Sequence, residues 1–152
     1  MGLMRGQLVE LNEKLADPAM LQLLCQTLIL LAPVLFANYS NEVVVGNDVI
    51  EIKGEYAMEI PVTDIDTVLL VEKLPSIKTR ANGISTRKVN IGIFKMSDGN
   101  KCRLYINKDV PLFVEIKCQQ TTDNGQQTLV FINGKTVEDT KALYEEIFNS
   151  KY

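Results

Sequence analysis

The chain has 152 residues, a net charge of −3, 46% hydrophobic residues, three cysteines and no histidine. That length holds one modest domain plus an extension, and the apolar share is enough for a buried core. The missing histidine removes the usual acid–base group near neutral pH. Cys25, Cys102 and Cys118 neither complete a disulfide framework nor match paired zinc-ligand spacing, so reduced core thiols in a cytoplasmic setting are expected.

Residues 3–16 place Met4, Leu8, Leu11 and Leu15 along one side of a helix, which predicts a short amphipathic element. Asp17-Pro18 supplies an N-cap followed by proline at the first helical position, so a second, apolar helix is expected over 18–37. No charged residue stands between Asp17 and Glu42, and residues 19–37 approach the roughly 20 apolar residues that cross a bilayer. The segment marked by Leu21, Leu24, Leu28, Leu31 and Leu35 therefore reads as a transmembrane helix that holds the following domain at a membrane, on its cytoplasmic side. Gln22, Gln26 and Pro33 set the alternative, a soluble cytoplasmic protein whose N-terminal helices pack into a homo-oligomer. Arg5 and Lys14 before the run and Lys53 after it leave its orientation unspecified. The run begins late and is long for a cleaved signal peptide, and Gly6 occupies the position where myristoylation prefers Ser or Thr.

From Val43 onward the hydrophobic period becomes two. Residues 43–45 and 49–53 read as a hairpin around Gly46-Asn47-Asp48, with Ile50 and Ile52 inward and Glu51 and Lys53 outward. Tyr56, Met58 and Ile60 alternate with polar or small neighbours until Pro61. Residues 67–71 are apolar on both faces and predict a central strand. Residues 74–88 hold Pro75 and Asn82-Gly83 and read as a loop. The strand pattern resumes over 89–96, with Gly92 a bulge or a point of close backbone approach, and Ser97-Asp98-Gly99-Asn100 turns the chain. Residues 101–106 and 113–118 alternate apolar and charged side chains; a hairpin between them would put Cys102 and Cys118 on the same apolar face, within reach of a disulfide. A last strand follows over 128–132, and Asn133-Gly134 ends it.

A helix over 136–148 closes the chain. Thr136 with Asp139 three residues on resembles a capping box, and Glu138 and Asp139 complement the positive end of the helix dipole. Val137, Tyr144 and Ile147, flanked by Leu143 or Phe148, form its inward stripe. Its outward side is acidic, which is wrong for nucleic acid.

Charge is unevenly spread. Residues 76–108 hold eight basic side chains against Asp98 alone. Within that band Lys78, Arg80, Arg87, Lys88, Lys95, Lys101 and Arg103 are the candidate site for an anionic partner: an acidic protein face or anionic lipid. Few exposed aromatics accompany them, which disfavours single-stranded nucleic acid. No catalytic residue, metal site or cofactor is assigned: the glycines form no phosphate loop, and Asp64 and Asp66 stand without further clustered ligands.

The runs Ile60-Pro61-Val62-Thr63-Asp64-Ile65, Leu74-Pro75, Arg80-Ala81-Asn82-Gly83, Gly92-Ile93-Phe94, Cys102-Arg103-Leu104-Tyr105 and Glu138-Asp139-Thr140-Lys141-Ala142-Leu143-Tyr144-Glu145-Glu146 resemble the bacterial pleckstrin-homology-like (PH-like) domains of uncharacterised proteins, over about residues 43–148. The resemblance implies a mainly β fold with a C-terminal α-helix, namely a barrel or sandwich of about seven antiparallel strands closed by one helix. It also implies upstream transmembrane helices and a binding role without catalysis. The expected organisation is an N-terminal helical segment, 1–41, and a PH-like interaction domain, 42–152, that binds a protein or a membrane.

Overall fold

The computed structural model describes residues 9, 10, 13, 17–35, 41–121 and 127–152, with backbone alone at 28, 30–35 and 121. The chain divides into two compact units, Met1–Asn38 and Tyr39–Tyr152.

In the first unit, helix α1 covers Pro18–Leu35, and the Asp17 carboxylate accepts from the Ala19 N–H at 3.0 Å, as the Asp-Pro start predicts. Of the amphipathic helix expected over 3–16, only Val9, Glu10 and Glu13 are described, and all three are helical. The expected bilayer span is corrected. Among the described residues no helix is long and apolar enough to cross a membrane. The 18 residues of α1 rise about 27 Å at 1.5 Å per residue, against a hydrocarbon core of about 30 Å, and Gln22, Gln26 and Thr27 interrupt the apolar run. Residues 36 and 37, the expected end of that helix, lie outside the described residues.

The second unit is mainly β with a C-terminal helix. Its strands among the described residues are β1 (Glu42–Val45), β2 (Val49–Lys53), β3 (Met58–Pro61), β4 (Ile65–Val71), β5 (Ile77–Ser85), β6 (Val89–Met96), β7 (Lys101–Asn107), β8 (Phe113–Thr121) and β9 (Gln127–Ile132), followed by α2 (Val137–Lys151). They form two sheets, one ordered β1-β2-β3 and one ordered β4-β8-β9-β7-β6-β5. The expected closed barrel of about seven antiparallel strands is thus not formed. The large sheet ends at the open edges of β4 and β5, and β9 lies parallel to β7.

Alternation along the central strands gives the large sheet two apolar faces. On one, Ile91, Tyr105, Val114, Ile116, Cys118, Val130 and Ile132 pack with Ile50, Ile52 and Ile60 of the small sheet and Ile147 of α2. Side chains of this size gain about 1.5–3 kcal/mol each on full burial, and Ile50, Ile147 and Val114 are wholly excluded from solvent. The Tyr105 hydroxyl donates to the Tyr56 carbonyl at 2.7 Å and so ties the sheets together. The opposite face gathers Phe94, Met96, Cys102, Leu104, Ile106, Phe113 and Phe131, with Val71, Leu74 and Ile77 packed on it. The connection from β4 to β5 must pass from one edge of the sheet to the other, and its ends supply this cover.

Three strand expectations change for physical reasons. Residues 67–71 lie not in a central strand but in edge strand β4, where Leu69 and Leu70 remain exposed; apolarity on both faces here reflects packing at one end only. The stretch read as a loop contains β5, which looks unlike a strand because it is a sheet edge with most side chains in water. Asn82-Gly83 makes no turn: Gly83 lies opposite Gly92, beside a register shift between Arg80 and Asn82. Finally, β7 and β8 do not pair, because β9 lies between them. Cys102 shares its register position with Leu129, which lies opposite Lys117, so Cys102 and Cys118 occupy different faces. Both thiols are free.

The final helix is capped as expected, with the Thr136 hydroxyl accepting from the Asp139 N–H at 3.1 Å. It runs three residues further than predicted, and its buried positions include Thr140. The Thr140 hydroxyl donates to the Thr136 carbonyl at 2.8 Å and accepts from the Gly134 N–H at 3.0 Å, which sets the angle at which the chain leaves β9. At the other end the Lys151 ammonium donates to the Ile65 and Asp66 carbonyls, so the helix blunts the first part of the β4 edge.

Two stability predictions follow. Gly92 has φ +115°, and a Cβ there would sit 2.5 Å from the Asn82 carbonyl oxygen and 2.6 Å from the Gly83 Cα. Gly92→Ala should destabilise the domain by about 3 kcal/mol or more, read as a lower urea midpoint. The Thr67 hydroxyl is buried without a hydrogen-bond partner, so Thr67→Val should be neutral or should stabilise by up to about 1 kcal/mol in the same assay.

Candidate functional site

The seven cations read from the sequence do not form one band. The tight turn between β6 and β7 sets Lys95 directly opposite Lys101. Paired residues on adjacent strands share a face with their Cβ atoms about 5 Å apart. Arg103 follows on that face about 7 Å along β7, opposite Ile93, and Thr79 of β5 lies opposite Lys95. Tyr105, next on the same face, is buried beneath the small sheet. The cations therefore stand where that face emerges from its cover, with Lys95 and Lys101 exposed and Arg103 half-buried. Lys78 is exposed beside them at the register shift between Ile77 and Thr79. Arg80 pairs with Phe94, which places it on the other face of the sheet edge, where it is also exposed.

Arg87 and Lys88 are elsewhere. They sit in the β5–β6 turn at the opposite end of β6, about 20 Å from Lys95 at the rise of an extended strand. There Lys108 is already engaged, its ammonium donating to the Thr86 carbonyl at 2.6 Å and to the Ser85 hydroxyl at 3.4 Å.

Like charges directly opposite each other across two strands repel, and among the described residues neither Lys95 nor Lys101 nor Arg103 is in an ion pair; the one ion pair found there joins Lys117 and Glu115 at 3.3 Å. The single acidic side chain of the adjoining turn, Asp98, is occupied locally, accepting from the Asn100 N–H at 2.9 Å and from its amide nitrogen at 3.1 Å. The result is a rigid cationic end of a sheet, open to solvent. Periodicity alone did not pair Lys95 with Lys101, but the Ser97-Asp98-Gly99-Asn100 turn between two strand-like runs was the signal that could have done so.

Other candidates stay apart. Asp64 accepts from the Gln120 amide at 2.6 Å, and among the described residues no three His, Cys, Asp or Glu side chains gather as metal ligands. Cys102 and Cys118 are held as thiols: burial, reinforced by the Asp98 carboxylate for the first and by Asp64 for the second, pushes each from 9.0 up to about 11. A small cavity of about 140 Å³ beside Asn41, Tyr105 and Asn133 is lined by groups already bonded, since the Asn133 amide donates to the Asn107 and Val110 carbonyls at 2.9 and 3.2 Å. Leu21 and Leu24 are half exposed on α1, and Leu28, Leu31 and Leu35 fall within the same helix.

Set against known proteins, the chain matches no protein-family model, no curated protein and no solved structure.

The thiols give a direct check. At pH 8, exposed Cys25 should react with a thiol reagent within minutes, while buried Cys102 and Cys118 should react only on unfolding. Because folding raises both buried thiol pKa values, the protein keeps these two protons where the unfolded chain has lost them. Their contribution to stability should be complete below pH 9.0 and should fall as the pH climbs toward about 11, measured as the urea midpoint against pH.

Proposed function

We propose that the chain is a non-enzymatic interaction protein whose β domain, PH-like in its order of strands and closing helix, docks an acidic segment of a partner protein against the cationic end formed by Lys95, Lys101 and Arg103. The observation that carries this reading is the direct opposition of Lys95 and Lys101 with Arg103 beside them and no ion pair to any of the three. An arrangement that costs stability in the free protein is relieved when an anion bridges it. Exposed Lys78 extends the positive field toward the open edge of β5, where an extended segment could also gain main-chain hydrogen bonds.

An acidic protein segment fits better than a lipid surface. The exposed large apolar side chains of this domain are Val44, Leu69, Leu70, Phe148 and Tyr152, all on elements other than β5, β6 and β7. Nothing beside the cations would insert among acyl chains. The PH-like assignment itself is supported by the ordered residue matches along 43–148, and no residue is given a catalytic role.

The test is anisotropy titration of the full chain against a fluorescent poly-glutamate peptide in low salt. Three exposed ion pairs at about 0.2–1 kcal/mol each predict that Lys95→Glu, Lys101→Glu and Arg103→Glu together weaken binding about 3- to 100-fold. The double change Arg87→Glu and Lys88→Glu should cost much less. Equal losses in both variants, or tighter binding to vesicles of phosphatidylcholine and phosphatidylglycerol than to the peptide, would overturn the proposal.

A further inference from the structure

Helix α1 has no charged residue in its 18 positions, and a helix that is apolar nearly all round is buried against something. Its leucines are spaced in a particular way. Leu21, Leu24, Leu28, Leu31 and Leu35 follow steps of three, four, three and four, which places them at successive a and d positions of a 3.5-residue repeat. In that register Gln22 falls at b, while Gln26 and Pro33 fall at f, so both amides and the proline stand away from the seam. Leu21 is 50% and Leu24 43% exposed. Thr27, at g, spends its hydroxyl on its own helix, bonding to the Leu23 and Leu24 carbonyls at 3.0 and 2.9 Å.

From this we infer that α1 is an assembly element that packs along the same helix of a second copy of the chain through its five-leucine seam. Lipid gives no reason for a 3.5-residue repeat or for segregating both amides to one side, and among the described residues no helix is long and apolar enough to cross a membrane. A stripe that repeats identically in each copy is self-complementary and closes a two-fold contact. The e and g positions, Met20, Cys25, Thr27, Ala32 and Val34, carry no charge that would select a different helix as partner. The inference stands on α1 alone and does not depend on the cationic site.

Analytical ultracentrifugation of the full chain in detergent-free buffer tests it, using two variants that each add two negative charges to the same helix. The wild type should sediment as a dimer or a larger closed assembly. Leu21→Glu with Leu24→Glu, on the seam, should raise the dissociation constant by about 100-fold or more. Gln22→Glu with Gln26→Glu, off the seam, should leave the assembly intact. A monomeric wild type, or equal behaviour of the two variants, would overturn the proposal. So would binding of the wild type to phosphatidylcholine–phosphatidylglycerol vesicles without self-association in their absence. A second measurement needs no change at the seam: a nitroxide on exposed Cys25, Cys102 and Cys118 being buried, should report an inter-copy distance under about 30 Å for helices packed 8–10 Å apart, and no dipolar coupling between copies would refute it.

Discussion

The large sheet carries apolar side chains on both faces of its central strands, and the remainder of the domain is organised by the need to cover each. One face is closed by the small sheet through Ile50, Ile52 and Ile60 and by α2 through Ile147. The other is covered by residues at the two ends of the β4–β5 connection, Val71, Leu74 and Ile77. Placing β9 between β7 and β8 puts Val130, Phe131 and Ile132 at the centre, where neighbours on both sides shield them almost completely. A parallel pair arises because β9 returns antiparallel to β8 and must then run alongside β7.

Covering two faces leaves two edges, and they are treated differently. At β4 the end of α2 engages the first carbonyls through Lys151, while Leu69 and Leu70 stay in water. At β5 the edge is polar and irregular, with two register shifts and a close approach of Gly83 to Gly92 that only residues lacking Cβ permit. Bulges and charged side chains such as Lys78 and Arg80 are common devices for keeping an edge from pairing indiscriminately. They also give that end of the sheet the positive field on which the proposed docking of an acidic segment rests.

Charge and burial work together there. The strands that display Lys95, Lys101 and Arg103 are the ones whose neighbouring residues Phe94, Met96, Cys102 and Leu104 are locked in the core. The cations thus stand on a backbone with little freedom to spread them apart, and cross-strand repulsion is built into the fold. Helix α1 presents the complementary case, in which apolar surface is left exposed in its own unit. An ionic contact at one end and an apolar seam at the other would differ in salt dependence, since screening weakens the first and not the second.

Much of this was readable from residue order. Strands before a single capped helix, the β1–β2 hairpin, the Asp17-Pro18 helix start and the Thr136 cap all depend on neighbours within a few positions, where side-chain periodicity and backbone sterics act directly. The seven cations were equally visible, but not their division into two groups, because that depends on strand register. What only the tertiary structure decided was partnership: that β9 separates β7 from β8, that Cys102 and Cys118 face opposite sides, that an apolar strand lies at an edge and a polar one still pairs, and that the sheet stays open. Period-two alternation says which residues share a face of one strand. It carries no information about which strand lies beside it, since that choice is set by burial summed over residues far apart in the chain.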